Sequence, residues 1–186
     1  MGGSIAAWQW RHLGHWVHVW RTWRGLVGGA SLAEAKVGDM ACFPMVPWSN
    51  RIGGGGFVHD ERFYPLQPNT AQDPYPIHGD AWQQSWTLCD LTTRRARMVL
   101  HSRHHLGSPY HYCAEQTLEL GAQQLLHHLR VQNNGDHALP FGLGLHPWLN
   151  RTPNCKVTAP VAGVWISDAD RLPTALENDY PEGWDL

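Results

Sequence analysis

Several features that mark common functional classes are missing from this chain. Its four cysteines are widely separated and form no Cys-x-x-Cys pair, which argues against a zinc ribbon or a thioredoxin-like redox site. No run of about 18 apolar residues is present, so the sequence predicts no membrane-spanning helix. Charged residues make up only 16% of the chain and the formal net charge is -2. Because like charges are not clustered, a nucleic-acid-binding surface is not expected.

The amino-terminal residues lack the pattern of an export signal. Arginine and histidine interrupt the first thirty residues at six positions, which leaves no continuous apolar segment for a signal peptide. In a chain without an export signal, cysteines are usually reduced and buried. We therefore expect a soluble, cytoplasmic protein that binds neither membranes nor nucleic acids.

Sequence motifs for nucleophilic catalysis, phosphate binding and metal binding are absent as well. There is no Gly-x-Ser-x-Gly motif, and the glycines at 53–56 are not followed by Lys and Ser or Thr, so we expect a flexible turn there. His12, His15 and His18 recur every three residues without a carboxylate or thiolate to complete a ligand set. The adjacent histidines at 104–105 and 127–128 are expected on solvated faces. We predict no metal site, and a His-rich metal protein is kept as a third interpretation.

Length and turn residues indicate an all-β protein in a single domain, residues 1–186. The 19 Gly and 13 Pro are spread along the chain, which is typical of short strands joined by turns. Tyr110, Tyr112 and Ala114 alternate with polar or small residues, as on a strand with one buried face. The predicted strands are residues 84–91, 97–102, 139–145, 155–159 and 164–167, with a hairpin at 57–66 and turns at 92–94 and 133–136.

Two segments have ambiguous periodicity. Trp and Val recur at helical spacing within residues 8–27, yet both residue types also favour strands, so a helix and a strand pair both remain open. Residues 118–131 are rich in Leu, Gln and Ala, which prefer helices. We predict two strands there instead, turning at Gly121 and Ala122.

One polar segment presents hydrogen-bonding groups on a rigid backbone. Residues 43–52 (FPMVPWSNRI) contain two prolines, followed by Asn50 and Arg51 side by side. An amide and a planar guanidinium together suit a ligand made of hydroxyl groups. The alternative is a Pro-rich crossover in which Arg51 makes a structural salt bridge.

Two further segments each place a histidine beside Gly or Pro. In residues 75–80 (YPIHGD), the glycine after His78 allows a sharp turn and close approach of a ligand. In residues 141–148 (FGLGLHPW), an apolar strand with glycines leads to His146 in a turn beside Trp148. Imidazoles exchange protons near neutral pH, and an indole offers a flat apolar face to a sugar ring. We expect His78 and His146 to converge with Arg51 in one sugar-sized hollow.

Taken in order, these motifs resemble the aldose 1-epimerase (galactose mutarotase) family. The resemblance is carried by PWSNRI at 47–52, PIHG at 76–79 and GLHPW at 144–148, with GGSI at 2–5 and NNG at 133–135 in support. Residues 42–186 match best, whereas residues 1–41 form an atypical amino-terminal part. The resemblance implies an antiparallel β-sandwich of the galactose mutarotase-like type that binds its sugar in an open cleft on one sheet.

The resemblance also implies a reaction, the interconversion of the α and β anomers of a hexose by acid- and base-assisted ring opening. It implies that His146 is the general acid at the ring oxygen, that His78 assists there, and that Asn50 and Arg51 hold hydroxyl groups. We add Trp148 as a substrate-binding residue. No metal or organic cofactor is implied, and the expected partner is a small-molecule aldose.

The sequence departs from the family pattern near its carboxyl end. The family's general base is a Glu well beyond the His-Pro motif, but Glu177 and Glu182 have no matching motif and we assign neither. We therefore expect a shortened member with an incomplete catalytic set, in which unpaired sheet edges favour a homodimer. The alternative is a non-catalytic carbohydrate-binding module on the same fold.

Overall fold

The computed structural model describes residues 2–31 and 35–179. Glu182 lies outside the described residues. The chain divides into two compact units, residues 1–149 and 150–186. The prediction of a single domain over residues 1–186 stays a prediction. Within the described ranges, no helix has both the length and the apolar character needed to cross a membrane.

Short strands dominate both units, as the distribution of Gly and Pro predicts. The described residues of the first unit include one short helix, α1 (Gly25–Gly28). The strands are β1 (Gln9–His12), β2 (His15–His18), β3 (Pro44–Met45), β4 (Gly56–His59), β5 (Arg62–Pro65), β6 (Thr87–Leu91), β7 (Arg95–Arg103), β8 (His111–Leu120), β9 (Leu125–Asn133), β10 (Gly144–Leu145), β11 (Val164–Ser167) and β12 (Pro173–Glu177).

The largest sheet has four antiparallel strands in the order β6-β7-β8-β9. Among the described residues, two-stranded antiparallel sheets are also formed by β1 with β2, β3 with β10, β4 with β5, and β11 with β12. The prediction of an all-β, antiparallel fold is confirmed. The last of these pairs, β11 with β12, forms the second unit's hairpin.

The core of the first unit lies on one face of the four-stranded sheet. Along β8, Tyr112, Ala114 and Gln116 are fully buried and alternate with more exposed neighbours, as the sequence predicts for one buried face. The sheet packs against the segment that carries Val46 and Trp48, which belong to the same buried cluster. Complete burial of a side chain of this size contributes about 2 kcal/mol to stability, so this cluster fixes the position of the 46–52 segment.

Local turn signals predicted most of the strand ends correctly. The hairpin at 57–66 is present, with its tip at Asp60 and Glu61, and the glycines at 53–56 lead into it through a turn. The strand following Gly121 and Ala122 begins at Leu125, so the prediction of two strands in 118–131 is confirmed. The strand predicted at 84–91 begins later, at Thr87.

Residues 8–27, for which helix and strand pair remained open, form mostly strands. Strands β1 and β2 make a hairpin in which His12 lies opposite His15, and only α1 follows it. The hairpin is almost entirely exposed, with Trp16 at 61% of its maximal accessible area. The tryptophan spacing therefore does not reflect a buried helical face.

Two predictions about strands and one about cysteines are wrong. No strand forms at 155–159, where every residue is exposed, so no buried face favours extended pairing, and Pro160 next to it lacks an amide hydrogen. In the segment 139–145 only Gly144 and Leu145 pair with another strand. All four cysteines are free, but only Cys42 is buried, while Cys89 and Cys155 are exposed.

His127 is not on a solvated face, in contrast to the prediction for the 127–128 pair. Its Nε2 lies 3.0 Å from Oε1 of the fully buried Gln116, whose Nε2 donates to the carbonyl oxygen of Gly3 at 2.7 Å. His127 Nδ1 is buried, and burial followed by the charge of His128 lowers the pKa of His127 from 6.5 to about 4. Gln116 of β8 thus links the amino-terminal residues to the sheet, and the neutral imidazole of His127 holds the other end of its amide.

This arrangement predicts a pH-dependent stability. Between pH 6.5 and about 4, the unfolded chain binds a proton at His127 that the folded chain excludes, so the free energy of unfolding is expected to fall as the pH is lowered through this window. His127→Gln retains a donor for Gln116 and is expected to reduce that dependence, as measured by urea unfolding at pH 7 and pH 4.5. His101→Gln, at an exposed position of β7, is the control. An unchanged pH dependence in His127→Gln would contradict the prediction.

Candidate functional site

The pairing of β3 with β10 brings the third motif against the first. Met45 lies opposite Gly144, and the N–H of His146 donates to the carbonyl oxygen of Phe43 at 2.9 Å. The ring of Phe43 then stacks on the imidazole of His146, with centroids 4.6 Å apart and planes 14° from parallel. His146 is half-buried as a result, and its Nδ1 is buried.

The second motif joins the same surface through reciprocal hydrogen bonds with Asn50. The N–H of His78 donates to the carbonyl oxygen of Asn50 at 2.9 Å, and the N–H of Asn50 donates to Nδ1 of His78 at 3.1 Å. Both residues adopt a left-handed backbone, each with φ of 61°. The imidazole of His78 lies edge-on to that of His146, with centroids 5.1 Å apart and planes at 77°. Two histidines that are distant in sequence are thus direct neighbours.

The surroundings of His78 keep its ring neutral. Burial lowers its pKa to about 4, and the positive charges of His146 and Arg51 act in the same direction, against a smaller opposite effect of Asp73. Because Nδ1 accepts the hydrogen bond from Asn50, the single proton of the neutral ring is on Nε2. His78 therefore offers an N–H donor at neutral pH.

Arg51 makes a structural salt bridge, which was the alternative expected for this segment. Its Nε and Nη2 lie 2.8 and 2.6 Å from Oδ2 of Asp73, a carboxylate that is only 8% exposed. Its Nη1 donates to Oδ1 of Asn50 at 3.3 Å. The salt bridge holds the guanidinium beside Asn50 and within electrostatic reach of His78, so Arg51 also borders the histidine pair.

Trp148 lies on the other side of His146, with the two ring centroids 5.2 Å apart. The guanidinium of Arg21 stacks over the indole at 4.4 Å from its centroid, and the backbone N–H of Arg21 donates to the carbonyl oxygen of Trp148 at 2.7 Å. Nη2 of Arg21 is fixed in turn by the carbonyl oxygens of Gly38 and Met40. Trp148 stays 42% exposed, so the indole is both held in place and accessible.

The five predicted residues thus form one surface, the histidine surface. His78 and His146 lie at its centre, with Asn50 and Arg51 beside His78 and Trp148 beside His146. Their functional roles stay predictions. Gly79 does approach another group closely, as expected, but that group is the backbone of Val46 and not an open space for a ligand.

Three contributors to this surface were missed from the sequence. Asp73 and Arg21 fix Arg51 and Trp148, and Phe43 supports both imidazoles, with its centroid 6.0 Å from that of His78. Phe43 lies in the segment 43–52 that the sequence singles out, but its contact with the two imidazoles was not predicted. No sequence signal marked Arg21, which lies in the amino-terminal part that was predicted to be atypical.

One other concave surface of the first unit lacks comparable chemistry. An apolar hollow of about 230 Å³ is lined by residues including Ile5, Trp8, Leu118 and Leu125, and by none of the five predicted residues. Proton transfer requires titratable groups, so the histidine surface is the better candidate for catalysis. In the described part of the chain, no three His, Cys, Asp or Glu side chains are grouped to hold a metal ion.

Comparison with known proteins relates the sequence of this chain to one family. The aldose 1-epimerase family matches residues 14–181. YphB, an uncharacterized protein from Escherichia coli K12, is 34% identical over 151 residues, which are 77% of this chain and 51% of YphB. The chain therefore spans about half the length of that relative.

Two crystal structures share the fold over 99% of this chain. A proposed aldose 1-epimerase from Escherichia coli K12 has a TM-score of 0.86 at 30% identity, with 58% of that protein covered. A GalM/aldose epimerase homologue from C. elegans has a TM-score of 0.73 at 15% identity, with 57% covered. These likenesses confirm the prediction of a galactose mutarotase-like sandwich. On the extent of the family match, together with the fold, this chain belongs to the aldose 1-epimerase family.

Proposed function

We propose that this protein interconverts the α and β anomers of a hexose, with the histidine pair as its catalytic centre. The observation that carries the proposal is the contact between His78 and His146, whose ring centroids are 5.1 Å apart. Hydrogen-bonding groups of Asn50 and Arg51 border this pair on one side, and the accessible indole of Trp148 borders it on the other. Proton donors, hydroxyl-binding groups and an apolar face together suit a sugar ring.

The reaction requires a proton to enter at the ring oxygen as one leaves the anomeric hydroxyl. The bond between the anomeric carbon and the ring oxygen breaks, the ring oxygen becomes a hydroxyl, and the anomeric carbon becomes an aldehyde. Rotation about the adjacent carbon–carbon bond and the reverse steps then give the other anomer. Atoms and charge balance without an oxidant, reductant or cofactor.

The two imidazoles are suited to different parts of this reaction. Two positive charges at this separation repel, and His78 is the ring that is kept neutral by burial. We assign the role of acid to His146, with Nε2 as the atom that faces the sugar because Nδ1 is buried. Neutral His78 donates a hydrogen bond from Nε2–H toward the same oxygen and orients it.

The remaining residues hold the sugar in place. Asn50 offers amide groups from an exposed position, and Arg51 is fixed by Asp73 so that less entropy is lost when it binds a hydroxyl. Trp148 packs against the C–H face of the ring. We assign no residue as the base that removes the anomeric proton.

Polarimetry of freshly dissolved α-glucose and α-galactose tests this proposal. The chain is expected to accelerate the approach to the equilibrium rotation in proportion to its concentration, above the rate in buffer alone. Binding of either sugar by calorimetric titration, without acceleration, would instead indicate a non-catalytic carbohydrate-binding module. Absence of both acceleration and binding would contradict the proposed function for these two hexoses.

A further inference from the structure

The loop that carries His78 has an unfavourable backbone conformation that must be stabilised by contacts with other residues. His78 has φ of 61° and the following Gly79 has φ of 67°, both in the left-handed region. For a residue with a Cβ atom this region costs about 1–3 kcal/mol, and it persists only where surrounding contacts impose it. The contacts that impose it also determine where the imidazole lies.

Asn69 supplies three such contacts from outside the site. Its Nδ2 donates to the carbonyl oxygens of Ile77 at 2.9 Å and Gly79 at 2.8 Å, and its Oδ1 accepts the N–H of Ile77 at 2.9 Å. Both donor hydrogens and the acceptor oxygen of one amide are thereby engaged on the two residues that flank His78. This pattern fixes the peptide planes on both sides of the histidine.

Trp82 strengthens the same two positions and links them to the second histidine. Its Nε1–H lies 3.3 Å from the carbonyl oxygen of Ile77 and 3.0 Å from that of Gly79. Its ring packs on Phe43, with centroids 5.8 Å apart, and Phe43 in turn stacks on His146. The position of one imidazole relative to the other therefore depends on the hydrogen bonds that Asn69 and Trp82 make.

We propose that Asn69 is a positioning residue for the reaction, which holds His78 at the distance and angle from His146 that proton delivery requires. This inference rests on the proposed function. Among the described residues, the hydrogen bonds of the Asn69 side chain go to the backbone of Ile77 and Gly79 and not to either histidine ring. Its effect on the rate is exerted through the backbone of residues 77–79 alone.

The substitution Asn69→Asp isolates this role with almost no change of shape. The carboxylate still accepts the N–H of Ile77, but its second oxygen has no hydrogen to donate and faces two carbonyl oxygens. The loop is then expected to move away from Asn69 and to shift His78. Asn133→Asp is the matched control, because Asn133 also bonds two backbone groups, in the turn after β9.

Two readouts separate positioning from a general structural role. By polarimetry, Asn69→Asp is expected to lower kcat about tenfold or more while KM changes less than about threefold, since displacement of a catalytic group by about 1 Å affects the chemical step most. By nitrogen-15 NMR of the histidine rings, the Nδ1 signal of His78 is expected to move, because its hydrogen bond from Asn50 is disturbed. Asn133→Asp is expected to change neither.

Several outcomes would overturn the proposal. An unchanged kcat in Asn69→Asp would do so, and so would a lower kcat with an unaltered His78 Nδ1 signal. If the unsubstituted chain accelerates neither sugar, the proposed function fails, and the NMR measurement alone then decides whether Asn69 positions His78. If Asn69→Asp does not fold, Trp82→Phe replaces it, since it removes one donor to the same carbonyls and is expected to shift the same signal. An unmoved signal in Trp82→Phe would also contradict the inference.

Discussion

Replacement of His146 by Gln is expected to reduce the rate of anomer interconversion about a hundredfold or more, which is the usual contribution of one positioned proton-transfer group. Gln is similar in size and keeps hydrogen-bonding atoms, but it cannot exchange a proton near neutral pH. The stacking of His146 on Phe43 and its half-burial leave the amide enough contact to keep the local packing. The measurement is polarimetry of α-galactose and α-glucose with purified variant and unsubstituted protein.

His128→Gln is the matched control for this experiment. His128 lies on the exposed face of β9 and is not one of the residues that form the histidine surface. Its substitution is expected to leave the rate within about twofold of the starting value, as is usual for surface changes remote from a site. A His146→Gln variant that folds normally and retains full acceleration would exclude His146 as the acid.

Substitution of Gly79 by Ala is expected to be the most destabilising single change in the site loop. A Cβ atom at this position would overlap the carbonyl oxygen of Val46 and lie 2.5 Å from the nitrogen of Pro47, in addition to the strain of φ at 67°. These neighbours are backbone atoms of the buried core and cannot rotate away. We expect the free energy of unfolding to fall by about 3 kcal/mol or more, as measured by urea unfolding.

Gly54→Ala separates the two causes of that loss. Gly54 has φ of 65°, nearly the same as Gly79, but a Cβ atom added to it would meet nothing within 4 Å beyond its chain neighbours. Its substitution therefore carries only the conformational cost, about 1 kcal/mol. Equal losses for the two variants would show that the close approach of Gly79 to Val46 contributes nothing to stability.

The parts of the fold that the sequence predicted well are determined by residues that are close together in the sequence. The hairpin between Phe57 and Leu66 follows from polar tip residues between apolar pairs, and the turn at Gly121 was located by a glycine that interrupts two apolar strands. For His127, where burial against a neighbouring strand decided the outcome, the prediction was wrong. His127 is next to an exposed histidine in sequence, but only the register of β8 and β9 places it over Gln116.

The candidate site was predictable in its principal residues but not in their supports. His78, His146 and Asn50 are recognisable because each stands in a short motif with Gly, Pro or Arg beside it. Asn69 and Arg21 carry no such mark. Their roles arise from hydrogen bonds to backbone carbonyls and from a stacking contact, which exist only after the chain has folded.

The pairing of β3 with β10 has a consequence for biosynthesis. The two strands are separated by about a hundred residues of chain, so this contact closes a long loop and is among the slowest to form. On the ribosome, the strand at Pro44–Met45 emerges long before its partner and waits with an unsatisfied edge. Nascent chains are consequently exposed to aggregation through this unpaired edge until β10 has been synthesised.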